Sequence, residues 1–179
     1  MIFPKSRFYF NINFFKVIKV FFKTALLKNK KQININIEKE LIKFFPGSKF
    51  YFFSYGRTSY FYLLKNLRKQ TKKNKILINS FTLFEMINMI IYAGFEPILV
   101  DLNENSFETD FEPIIEKYKN DLAAITITHL NGFNSDIINI KKILNEKYKD
   151  VVLIEDNAVG LGSKKNNLYS DNIGDYSIL

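Results

Sequence analysis

The run Val151-Val152-Leu153-Ile154-Glu155-Asp156-Asn157-Ala158 decides how this chain is read. Four apolar residues in succession form a buried-strand pattern, and two carboxylates stand where that strand ends. Burying a carboxylate without a cationic partner is costly. Asp156 therefore faces solvent, caps a helix, or pairs with a protonated ligand nitrogen. Working outward, residues 123–128 form a second apolar strand pattern, and residues 136–148 between the two are helical in pattern. The alternation extends toward the N-terminus. Strand patterns cover 50–53, 75–78 and 97–100, with helical stretches near 58–69, 83–93 and 111–119. Spacing of this kind predicts βαβ units, hence an α/β domain with a mainly parallel sheet and helices on both faces. A last strand pattern opens at Tyr176, four residues before the sequence stops, so the domain reads as interrupted.

Composition narrows the chemistry. The 179 residues hold no cysteine, which excludes a disulfide framework, a thiolate zinc site and a cysteine nucleophile. His129 is the single histidine, so neither a His-rich metal cluster nor a Ser-His pair elsewhere is available. The abundance of Ile, Asn, Lys and Phe fits an AT-rich coding bias. The net charge of +8 is unevenly placed: residues 1–75 carry 18 basic and 2 acidic side chains, residues 76–179 carry 8 and 16. A basic part joined to an acidic part does not read as a nucleic-acid-binding protein, and no recognition motif accompanies the charge.

Residues 14–27 are apolar with a lysine every three or four positions. The lysines interrupt what would otherwise approach a membrane span or a signal peptide. On a helix Lys16, Lys19 and Lys23 share one face, opposite Phe14, Ile18, Phe21 and Ala25. Two readings stand. One is an arm packed on the domain or on a second subunit, which coding bias favours by supplying lysines without function; the other is a helix on an anionic membrane surface. A second helix is predicted from an N-cap at Asn36, with Glu38 and Glu40 in its first turn and Pro46-Gly47 as its stop. The expected division is a basic helical arm over 1–46 and the domain over 47–179.

Ligands of doubly wound sheets bind beyond the carboxyl ends of the strands. Three segments there hold unusual residues. Ser54-Tyr55-Gly56-Arg57-Thr58-Ser59 opens a helix whose free amides favour an anion, although an ordinary capped helix has the same form. Asn79-Ser80-Phe81-Thr82-Leu83-Phe84 offers hydroxyls and flat apolar groups, or simply feeds core residues into the sheet. The third is the Glu155-Asp156 end of the opening run.

Taken together, the segments resemble the DegT/DnrJ/StrS sugar aminotransferases, which use pyridoxal 5′-phosphate (PLP). The resemblance covers roughly residues 50–179. It runs through Gly56-Arg57-Thr58, Ser80-Phe81-Thr82, residues 93–101 from Ala93-Gly94 to Val100-Asp101, Thr128-His129-Leu130-Asn131-Gly132 with Asp136, Glu155-Asp156-Asn157-Ala158, and Gly174-Asp175. It implies the first part of a fold-type-I large domain. Gly56, Arg57 and Thr58 would hold the PLP phosphate, Asp156 would pair with the protonated pyridine nitrogen, and Ala158 would lie against one ring face. Leu83 stands where the family usually places an aromatic stacking residue, with Phe84 beside it. Val159 replaces a common glutamine. His129 and Asn131 are implied in the substrate pocket, with a satisfied strand-end histidine as the alternative for His129.

The family's Schiff-base lysine follows the Gly-Asp segment, and none of the 179 residues matches it; Lys164 and Lys165 precede that segment. No catalytic residue is therefore assigned, and the polypeptide alone is expected to lack transaminase activity. The resemblance further implies a nucleotide-linked keto sugar as substrate, glutamate as amino donor, a role in polysaccharide synthesis, a homodimer and a cytoplasmic location. The alternative is a non-catalytic α/β ligand-binding module or remnant, held at a membrane surface by the basic arm.

Overall fold

A computed structural model describes residues 14–26, 30–103, 109–129, 137–158, 164–165, 168–169 and 173–179. The chain divides into two compact units, Met1–Ser48 and Lys49–Leu179.

In the first unit, α1 spans Phe14–Leu26 and α2 spans Lys30–Phe44. The second helix starts seven residues earlier than the Asn36 cap predicts, at Lys30 rather than 37. Lys and Gln are good helix formers and extend it upstream, which leaves Asn36 in the helix interior. Its end agrees with expectation: Gly47 adopts φ +82° in the turn after Phe44. Among the described residues no helix is long and apolar enough to cross a membrane.

The second unit is built on a sheet of five parallel strands. In chain order it contains α3 (Gly56–Gln70), β1 (Lys75–Asn79), α4 (Phe84–Ala93), β2 (Glu96–Val100), α5 (Glu112–Tyr118), β3 (Leu122–Thr128), α6 (Ile137–Lys147) and β4 (Val152–Asp156). A two-residue antiparallel pair follows, β5 (Lys164–Lys165) with β6 (Leu168–Tyr169), and then β7 (Tyr176–Ile178). The sheet order is β2-β1-β3-β4-β7, every neighbouring pair parallel. All seven residues of β3 are buried, as expected of a central strand covered on both faces.

Side-chain alternation along the strands divides the core in two. Ile76, Ile78, Ile154 and Ile178 pack with Tyr60, Leu64 and Leu67 of α3 and Met86, Ile90 and Ala93 of α4. Leu77, Ile125, Ile127 and Leu153 pack on the other face with Ile115 of α5 and Ile137, Ile140 and Leu144 of α6. These helix residues recur at spacings of three and four, the stripe that a surface helix buries. Helices therefore cover both faces of a parallel sheet, as the spacing of apolar runs predicts.

One strand expectation fails. Residues 50–53 pair with no strand among the described residues, and Tyr51 is 79% exposed. A strand needs hydrogen-bonded neighbours as well as an apolar run. Here the aromatic residues lie on the surface, where Phe53 stacks on Tyr62 of α3 with ring centroids 5.8 Å apart.

Candidate functional site

The sheet order, numbered by strand sequence, is that of a flavodoxin-like doubly wound domain, with its switch point between β1 and β3. Asn79 closes β1 at that point and spans the gap. Its Oδ1 accepts the Thr128 backbone N–H at 2.9 Å, and its Nδ2 donates to the Thr109 hydroxyl. Thr128 closes β3. Its hydroxyl lies 3.4 Å from the Thr82 hydroxyl and donates to Asp156 Oδ2 at 3.5 Å. Three consecutive strand ends thus join through side chains.

Asp156 is the last residue of β4 and is 8% exposed. Burial raises its pKa above the ordinary aspartate value, partly opposed by the Ala158 backbone N–H, the Thr128 hydroxyl and His129. Beneath it, the Tyr60 phenol oxygen of α3 lies 2.7 Å from Thr126 Oγ1. Burial first, and the Asp156 charge last, push that phenol above its ordinary range, while Thr126 opposes the shift. Tyr60 is a neutral packing and hydrogen-bonding group at physiological pH.

Helix α3 presents its start on the same side of the sheet. Tyr55 is extended at the N-cap and makes no side-chain cap. Its carbonyl accepts the Thr58 and Ser59 backbone N–H groups at 3.0 and 3.2 Å, so no side chain caps the Gly56 and Arg57 amides ahead of them. Gly56 is close-packed: a Cβ there would lie 3.3 Å from Ile178 Cγ2 of β7. Arg57 is exposed, with its guanidinium 4.6 Å from the Tyr55 ring centre, and Thr58 is half-buried. Leu83 forms the extended N-cap of α4; it and Phe84 are exposed. Ala158 is exposed in the turn after β4.

His129 sits elsewhere. By strand alternation it lies on the α5–α6 face, opposite Thr128 and Asp156. It is fully buried, and its Nε2 is 3.2 Å from Glu155 Oε2, which is equally buried. Glu155 Oε1 accepts the backbone N–H groups of Ile173, at 3.1 Å, and Gly174. The next residue, Asp175, accepts the Leu153 N–H at 2.8 Å and pairs with Lys141. These contacts fasten the 173–175 turn to β4 and set the start of β7. Asn131, Asp136 and Val159 lie outside the described residues. Sequence reasoning did not single out Thr126 or Tyr60, and it quoted Thr128 within the motif without assigning it a role. The available signal was two hydroxyls at period two in an otherwise apolar strand, which places both on one face.

A buried strand-end acid facing the α3–α4 side, with a helix start on that side, defines the class: doubly wound α/β domains that receive a small ligand at the switch point of the sheet. The chain belongs to the DegT/DnrJ/EryC1/StrS aminotransferase family, whose sequence profile matches residues 31–179. This family depends on PLP. The GDP-perosamine synthase of Escherichia coli O157:H7 is 30% identical over 104 residues, covering 58% of this chain and 28% of the relative. That of Vibrio cholerae is 24% identical over 107 residues, covering 60% and 29%. The chain thus matches under a third of the length of these relatives. Among solved structures, E. coli GDP-4-keto-6-deoxy-D-mannose-3-dehydratase with bound hydrated PLP shares the fold with a TM-score of 0.74 and 23% identity, over 89% of this chain and 42% of that one. Helicobacter pylori PseC, an aminotransferase of pseudoaminic acid biosynthesis, aligns with a TM-score of 0.66 and 17% identity, over 75% and 36%.

Proposed function

We propose that this chain forms the cofactor-holding part of an enzyme that moves an amino group from a donor such as glutamate to a nucleotide-linked keto sugar, in polysaccharide biosynthesis. Homodimeric assembly and a cytoplasmic location go with that reading. One observation carries it. The Asp156 carboxyl is buried at a strand end, held by one long hydroxyl contact and one backbone N–H, and raised in pKa by that burial. A cationic ring nitrogen is the partner that offsets such a burial cost.

The residues present fit PLP. When bound, the cofactor supplies an electron sink through its pyridinium ring. Asp156 would keep the ring nitrogen protonated, and Thr128 would hold the Asp156 carboxylate in place. The uncapped start of α3, with the Thr58 hydroxyl, would take the phosphate. Ala158 and Leu83 would bound the ring faces. His129 reaches Glu155 on the opposite face, so its proposed part is to hold the β4–β7 connection beneath the pocket. Support for a sugar substrate comes from the family and from relatives named for GDP-perosamine synthesis.

Spectroscopic titration of the purified 179-residue polypeptide with PLP tests the reading. Saturable binding is expected, weakened at least about tenfold by Asp156→Asn, the loss of one charge-assisted contact. Equal affinity of the variant would overturn it. A polypeptide limited to these residues has no matching attachment lysine, so borohydride should leave the cofactor removable, and glutamate should not change the absorption band. Bleaching by glutamate and recovery with a keto acid would overturn that second expectation.

A further inference from the structure

The N-terminal helix plays no part in the cofactor reading and carries an independent one. Phe15, Val17, Val20, Phe21 and Phe22 of α1 are each 47–78% exposed. Lys16 and Lys19 lie on the side of the helix away from Ile18 and Phe21, and both are exposed. The surroundings in sequence are one-signed. Residues 1–37 contain eight basic side chains (Lys5, Arg7, Lys16, Lys19, Lys23 and three more over 28–31) and no acidic one. All 18 acidic residues lie from Glu38 onward. Coding bias accounts for abundant lysine and phenylalanine anywhere in the chain, but not for a 37-residue stretch free of acid.

We propose that α1 lies flat on an anionic lipid surface. Its 13 residues span about 20 Å, short of the roughly 30 Å hydrocarbon core, so the helix suits the interface plane and not a crossing. A wide apolar arc enters the acyl boundary while Lys16 and Lys19 snorkel to the headgroups. The basic residues flanking α1 on both sides add attraction to lipid phosphate and carboxylate groups. A protein groove would cover a narrower stripe and would need acids to answer this charge. A lipid surface meets both the breadth of the apolar arc and the uniform sign.

Flotation of the full chain with vesicles tests this, using pure phosphatidylcholine and an equimolar mixture with phosphatidylglycerol. The chain should float with the mixture at low salt, much less at high salt, and not with phosphatidylcholine alone. Lys16→Glu with Lys19→Glu should lower the partition coefficient at least about thirtyfold, the product of two lysine contributions. Phe21→Ser with Phe22→Ser should lower it too, by about tenfold or more. Both pairs are on the exposed surface, so PLP titration of the same samples should be unchanged. Flotation that survives both changes, or no flotation at all, would overturn the proposal. Concentration-dependent self-association abolished by Phe21→Ser/Phe22→Ser, without vesicle binding, would overturn it and assign the face to a second copy.

Discussion

Asp156 sits in the chain at a thermodynamic disadvantage that only its surroundings explain. Its carboxyl is raised by burial, so the folded state holds the proton more tightly than the unfolded chain does. Stability from this group is then greatest below the ordinary carboxylate range, and it falls as pH rises toward the raised folded value. Without added PLP, urea unfolding across that acid window should show the decline, and Asp156→Asn should remove it. An equal decline in the variant would assign the effect to other groups. The position of Asp156 was legible in the sequence because a carboxylate after four apolar residues poses a solvation problem. Thr128 was not, because threonine in a strand also satisfies β-propensity, and its hydroxyl acquires meaning only when β4 is laid beside β3. His129 shows the same limit: a lone histidine at a strand end does not reveal which face it takes, and alternation within the assembled sheet sends it to Glu155.

At the scale of elements, the turn before β7 is held by very little free space. A Cβ on Gly174 would lie 2.9 Å from Glu155 Cγ and 3.1 Å from the Leu153 carbonyl oxygen. Neither neighbour has room to yield: one is backbone, and the other is a fully buried side chain tied to His129 and two amides. Gly174→Ala should therefore cost about 1–3 kcal/mol, read as a lower urea midpoint with unchanged slope. An unchanged midpoint would mean that Glu155 moves aside freely. The strands over 75–78, 97–100, 123–128 and 151–154 were readable because each is an apolar run followed or preceded by a helix of the right period. Residues 50–53 look the same locally, but among the described residues no strand pairs with them. The early start of α2 was missed for a related reason. Helix propensity of Lys and Gln carried the helix upstream past the Asn36 cap signal.

For the molecule as a whole, the divided charge and the divided core were unequally visible. The charge division is arithmetic on residues and needs no coordinates. The two core faces required strand register, which fixes that Asp156 and Thr128 look toward α3 while His129 and Glu155 look toward α6. The sheet order has a further consequence, in the time course of synthesis. After β2 takes its place at one side of β1, each later strand of this five-stranded sheet joins the opposite side: β3 on β1, β4 on β3, β7 on β4. Among the described residues, a chain emerging from the ribosome thus extends one growing edge of this sheet, each strand added beside the last one paired. Ribosome-bound chains stalled at increasing length should gain protease resistance in that order, β1 with β2 first and β7 last. Protection of β4 before β3 would show that the sheet assembles by another route.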